Sequence, residues 1–179
     1  ELNQFGLAIE RHCAVTAADI DSWTSQVKLP VRANAKLAKN FFSTRIVRKQ
    51  NSHIRAFASE ILVAVPVLGL FGDALIEPLA VETMANHLAC FSLLRIILRI
   101  VQEADIQHVD TLRQAVRGHH VLYKDLYPAC LKPKLHGLAH LADYWQHWGV
   151  LLSCYGPERK HRLMKSVMGF SFNKGEQTA

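Results

Sequence analysis

The sequence predicts an all-α protein: an irregular bundle of about six helices around a long, buried central helix. Two observations carry this prediction. Apolar residues recur at intervals of three and four through most of the chain, which is the period of one helix face. Proline or glycine marks most of the breaks between those runs. Val150-Leu151-Leu152 is the one candidate strand, and nothing in the sequence supplies it with partners.

Residues 1–15 give little signal. Thr16-Ala17-Ala18-Asp19 matches a capping box with Asp in place of the usual Glu, so a short helix is expected to about Gln26. Pro30 interrupts. A helix from Ala33 to Phe42 follows, with Lys36 and Lys39 outward, and then a basic connector over 43–51. From Ser52 to Phe71 the apolar residues Phe57, Ile61, Leu62, Val65 and Leu68 mark a helix. Pro66 should kink it, and Gly69 and Gly72 should end it.

Pro78 suits the first position of the next helix, which runs to about Glu103. Its stripe of Met84, Leu88, Phe91, Leu94 and Leu98 is widened by Ile96, Ile97 and Ile100, so it is expected to be the most buried helix. Asp110 can cap a helix to about Tyr127. Pro128 and Pro133 bracket a connection. A helix should run from Pro133 to Trp148 and stop at Gly149. Gly156-Pro157 starts a last helix through about Met168. The domain reading is a basic N-terminal arm with short helices (1–50), a helical domain (51–170) and a frayed tail (171–179).

Length and composition fit one domain. The chain has 179 residues, half of them hydrophobic, which supports a sizeable core and excludes disorder. A start at Glu1 instead of Met is what a piece of a longer protein would show. The net charge of +6 arises in one segment, where Lys28 to Arg55 holds eight basic residues and no acid. Such a run suits a phosphate backbone. A solvated helix face, with Leu37, Phe41 and Phe42 packed beneath, fits equally well.

Cys13, Cys90, Cys130 and Cys154 are far apart and form no C-x-x-C pair, which argues against a disulfide framework and for a reducing compartment. The polar, acidic start does not read as a signal peptide. The longest apolar run, Ile61 to Phe71, is too short to span a bilayer and carries Pro66. These features point to an intracellular, soluble protein with no membrane partner.

Chemistry concentrates between Lys132 and Lys165. His136 and His140 lie four apart, so a helix presents both on one face, where two imidazoles can share a metal. Gly137 stands where a zinc protease needs its glutamate, which excludes that activity. His147 is about 10 Å further along the helix, too far to join the pair. Cys130 and Cys154 flank the pair and could add thiolates, though no standard zinc spacing links them. The other reading is two histidines hydrogen-bonded at a helix interface.

Glu158 also has two readings. It can be a helix-start carboxylate paired with Arg162, or a Mg²⁺ ligand whose only acidic companion in this stretch is Asp143. Arg159, Lys160, His161, Arg162 and Lys165 can hold phosphates or form a solvated face. His119, His120 and Tyr123 read as packing.

Pro133-Lys134-Leu135-His136-Gly137-Leu138-Ala139-His140-Leu141, then Trp148-Gly149, then Pro157-Glu158-Arg159 through Lys165, resemble the C-terminal region of eukaryotic cut-and-paste transposases. The likeness is to the En/Spm (CACTA) group and the domain of unknown function that accompanies it. The wider group includes the recombinase that rearranges antigen-receptor genes. The resemblance covers residues 132–165. It implies zinc at His136 and His140, and Glu158 as the third acid of a two-Mg²⁺ strand-transfer site. It also implies DNA contacts from Arg159, Lys160, Arg162 and Lys165, joined by Arg45, Arg48 and Lys49 of the basic segment. A nuclear location follows, and the family admits a homo-oligomer. The chain departs from the family in lacking the C-x-x-C that completes the zinc site and the strands that carry the first two aspartates. The resemblance therefore implies a helical insertion plus the last catalytic helix, inactive alone. The alternatives are a non-catalytic helical module binding DNA or protein, and a purely structural helical domain.

Overall fold

The computed structural model describes residues 1–29, 37, 39–46, 54 and 56–150. Among them are eight α-helices and no strand. They are α1 (Leu2–Cys13), α2 (Ala17–Gln26), α3 (Phe41–Arg45), α4 (Ala58–Phe71), α5 (Glu82–Glu103), α6 (Val109–Leu126), α7 (Pro133–Ala139) and α8 (Leu141–Trp148). The all-α irregular bundle expected from the sequence is the architecture found.

α1 lies where the sequence gave little signal, and it buries Leu2, Phe5, Ala8 and Ile9. α2 starts as its capping box requires. The Thr16 N–H donates to Asp19 Oδ2 at 2.8 Å, and the Asp19 N–H donates back to Thr16 Oγ1 at 3.3 Å. The expected helix over 33–42 is corrected at its end: Lys39 and Asn40 form a turn, and α3 begins only at Phe41.

Phe41 and Phe42 join residues of α1, α2, α4 and α5 in the larger core cluster. The described residues of α1, α2 and α3 therefore share the larger core cluster with α4 and α5. Phe5 and Phe91 stack at 4.1 Å between ring centres, fixing α1 on α5.

α4 starts at Ala58, six residues later than Ser52 suggested, because Phe57 is extended and Glu60 reaches back to its N–H at 2.7 Å. α4 ends at Phe71 with Gly72 as its C-cap, as expected, but Gly69 does not end it and the backbone stays helical past Gly72. The helix passes through Gly69 and continues as a π-turn over Gly72–Ile76 and a 3₁₀ turn over Glu77–Leu79. The glycines also serve close packing. A Cβ at Gly69 would sit 2.3 Å from Arg95 Cδ, and Arg95 crosses this point to reach Asp73 at 2.6 Å. Pro78 falls in the 3₁₀ turn, so α5 begins at Glu82.

α5 is the longest described helix and is central. It packs on α1, α4 and α6 and supplies residues to every core cluster. It is not the most buried: α4 buries six of its 14 residues, α5 five of 22. Spanning several neighbours leaves part of its circumference to solvent.

Ala58–Leu79 and Glu82–Glu103 are each long and apolar enough to cross a membrane by length and composition. The sequence suggests neither as a span, because its longest unbroken apolar run is Ile61 to Phe71. Core helices pass the same test, and Ala64, Val65, Val67, Leu68 and Phe71 of α4 are buried against protein.

α6 ends at Leu126 as expected, but Asp110 is not its cap. Asp105 caps the preceding 3₁₀ turn by accepting the Gln107 N–H, and Asp110 pairs with Arg113. Ile97 and Ile100 of α5, Leu112 and Val116 of α6, and Ala142 and Trp145 of α8 form the second cluster. The expected single helix from Pro133 to Trp148 is broken in two at His140, and Gly149 in the left-handed region (φ 67°) closes it.

Candidate functional site

Pro133 at the first turn and Gly137 within it make α7 short, and the chain turns at His140 before α8 begins. The turn leaves His136 and His140 exposed and facing. Their Nε2 atoms are 3.2 Å apart, with the rings edge to face at 4.8 Å between centres. Two imidazoles on one tetrahedral zinc, at Zn–N of about 2.05 Å, place their nitrogens about 3.3 Å apart. The same spacing suits an N–H···N hydrogen bond between two neutral rings. A Cβ at Gly137 would meet nothing within 4 Å, so the space beside the pair is open.

A third ligand is not supplied by the described residues. Among them, no group of three or more His, Cys, Asp or Glu donors includes either histidine. Cys130 packs beside Cys90, Tyr123 and Tyr127. Asp143 accepts from Arg113 at 3.2 Å, and His147 packs on Trp148. Cys154, Glu158, Arg159, Lys160, Arg162 and Lys165 lie outside the described residues, as do Arg48 and Lys49. Arg45 ends α3, and its Nη2 stands 3.8 Å from Glu60 Oε1.

The two tryptophans of the motif separate. Trp145 is 1% exposed and anchors α8 in the second core cluster, while Trp148 is 60% exposed.

A second group of reactive side chains includes His119 and Tyr123, which the sequence assigns to packing. His119 lies on the apolar stripe of α6, between Val116 and Tyr123, and is 1% exposed. Its Nε2 meets Glu1 Oε2 at 2.5 Å, and Cys90 Sγ of α5 donates to Glu1 Oε1 at 3.5 Å. His119 Nδ1 is buried with no hydrogen-bond partner.

The ring of Tyr123 stacks on His119 at 5.6 Å, Tyr127 packs on Tyr123 at 5.1 Å, and the Tyr127 hydroxyl meets His87 Nδ1 at 2.7 Å. Burial, reinforced by the Glu1 carboxylate, pushes the Cys90 thiol strongly up. Burial pushes Tyr123 up to about 12. These groups are therefore neutral at physiological pH. A histidine within an apolar stripe was the available signal. Glu1 and Cys90 were out of reach of any local pattern, since they stand 118 and 89 residues from His119 and from Glu1 respectively.

A surface cleft of about 450 Å³ is lined by Asp73, Glu77 and Glu82 together with Val81, Leu88 and Ser92. Its carboxylates suit a cation and repel a phosphate backbone.

No protein-family model, no curated protein and no solved structure matches the chain.

Proposed function

We propose that this chain is a helical part of a transposon-derived, transposase-like protein, in which His136 and His140 hold a zinc ion and basic residues engage DNA. The observation that carries the reading is the facing of the two imidazoles at 3.2 Å, close to the separation that a shared tetrahedral zinc demands. The transposase-like motif over 132–165 supports it by placing Glu158 18 residues beyond His140.

In a full-length parent, Glu158 would be the third acid of a site whose two Mg²⁺ ions activate water and then a 3′ hydroxyl against phosphodiesters. Arg159, Lys160, Arg162 and Lys165 would hold phosphates, and the protein would act in the nucleus on DNA, alone or as a homo-oligomer. The 179-residue chain by itself has no nuclease activity under this reading, because one carboxylate cannot assemble a two-metal centre.

A second reading is a helical binding module without catalysis. The acidic cleft and the want of a third zinc ligand among the described residues favour it. Zinc titration of the chain against a chromophoric chelator separates the two. The first reading expects one equivalent to be lost in the His136→Ala/His140→Ala variant. Zinc stoichiometry unchanged by that double substitution overturns it.

A further inference from the structure

We infer that Glu1, Cys90 and His119 form a metal site inside the bundle, suited to zinc or a similar borderline divalent cation and separate from the His136/His140 pair. Three different donors converge there: an oxygen from the residue before α1, a sulfur from α5 and a nitrogen from α6. Their ligand atoms all lie within 4.8 Å of one another, and no other three-donor group occurs among the described residues.

The spacing fits. Tetrahedral zinc with Zn–S of about 2.3 Å and Zn–O of about 2.0 Å sets sulfur and oxygen about 3.5 Å apart. Cys90 Sγ and Glu1 Oε1 are 3.5 Å apart. His119 Nε2 meets the other carboxylate oxygen, Oε2, at 2.5 Å, so one oxygen can serve the ion only if the carboxylate turns and the nitrogen–oxygen distance opens to about 3.3 Å.

The charge fits as well. The Glu1 carboxylate is 10% exposed, and its side-chain partners are one imidazole nitrogen and one thiol. A carboxylate can accept about four hydrogen bonds, and a thiol is a weak donor, so oxygen lone pairs remain for an ion. A divalent ion with one carboxylate, one thiolate and one neutral imidazole makes a neutral centre, which suits a largely buried site. Sulfur and imidazole ligands select against Mg²⁺ and Ca²⁺, which require oxygen.

The Tyr123 ring stacked on His119 holds the imidazole plane. The group gathers no fourth His, Cys, Asp or Glu among the described residues. His119 Nδ1 stays without a partner with or without the ion and does not decide between the two states.

Loading the site must displace the Cys90 proton, because the thiolate and not the thiol is the metal ligand.

Co²⁺ is the probe, titrated into the 179-residue His136→Ala/His140→Ala variant so that the other pair is silent. One equivalent should bind with a cysteinate-to-cobalt charge-transfer band. Adding Cys90→Ser should remove the band and weaken binding more than about a hundredfold, beyond what loss of a supporting residue gives. A Cys13→Ala/Cys130→Ala/Cys154→Ala variant should keep both, and it decides the matter should Cys90→Ser fail to fold. His119→Gln should weaken binding while leaving the helical circular-dichroism signal intact. A missing band, or a band that survives Cys90→Ser or is lost in the triple variant, overturns the site.

Discussion

Asp21 on α2 accepts the backbone N–H of Phe42 on α3 at 2.9 Å. Its second oxygen accepts the Ser43 N–H at 2.8 Å, and the side chain is buried. These are the N–H groups that a helix start leaves without internal partners, so Asp21 caps α3 from another helix. Asp21→Ala is expected to destabilise the protein by about 2–3 kcal/mol, because two N–H groups lose a charged acceptor in a protected place. Asp21→Asn keeps one acceptor and should lose less. Urea denaturation of the three proteins checks the order.

Three left-handed positions are held by alanine: Ala14 (φ 55°), Ala80 (φ 50°) and Ala104 (φ 53°). Ala104 closes α5, with its N–H on the Ile100 carbonyl. A Cβ there is strained and glycine relieves it, though glycine also raises the entropy of the unfolded chain. Ala104→Gly is therefore expected to stabilise by up to about 1 kcal/mol, seen as a raised thermal midpoint.

These alanines also show why the element boundaries were only partly legible in the sequence. Glycine is the usual signal for a helix end. Here Gly69 lies inside α4 and Gly72 at its junction with the π-turn, admitting Arg95, Phe5 and Leu88, while left-handed alanines close α1 and α5. The helical period itself was readable, as were the Thr16–Asp19 capping box and the stop at Gly149, because each is a local property. The His136/His140 pair was legible for the same reason, being one helical turn apart. The Glu1–Cys90–His119 group was not, because only the packing of α1 across α5 and α6 brings those residues together.

The tryptophans offer a test of how α8 is held. Trp145→Ala should destabilise by about 3–5 kcal/mol, since it empties a closed position between Ile97, Ile100 and Leu112. Trp148→Ala should change stability by less than about 0.5 kcal/mol. The fluorescence of Trp148 should yield to acrylamide, and that of Trp145 should resist it.

His87 gives the fold an acid-side sensitivity. Burial holds its pKa below the ordinary histidine value, and His12 and Arg11 push the same way. Its Nδ1 meets the Tyr127 hydroxyl. The unfolded chain takes up this proton first as pH falls below about 6.5, so the folded state loses ground there. Stability should be level above that pH with respect to this group and decline beneath it. His87→Gln, which cannot titrate, should flatten that part of the urea-midpoint profile. A profile of wild-type steepness in the variant would remove His87 as the cause.

The basic segment permits a finer test of DNA binding. Glu60 is fixed by the Phe57 N–H at 2.7 Å and stands 3.8 Å from Arg45, which is therefore partly neutralised where it sits. Arg48 and Lys49, a few residues on, carry the same formal charges in the sequence. If DNA binds through this segment, each phosphate contact releases counterions and adds about 0.9 to the slope of log affinity against log salt. Arg48→Ala/Lys49→Ala should lower that slope by about 2 and weaken binding at low salt. Arg45→Ala should change both far less, because Glu60 already competes for its charge. Glu60→Gln should then strengthen binding by removing the negative charge beside Arg45, and the gain should vanish when Arg45→Ala is added. No loss from the double variant would place the DNA contacts outside this segment, and equal losses from Arg45→Ala and from the double variant would show that Glu60 does not offset the Arg45 charge.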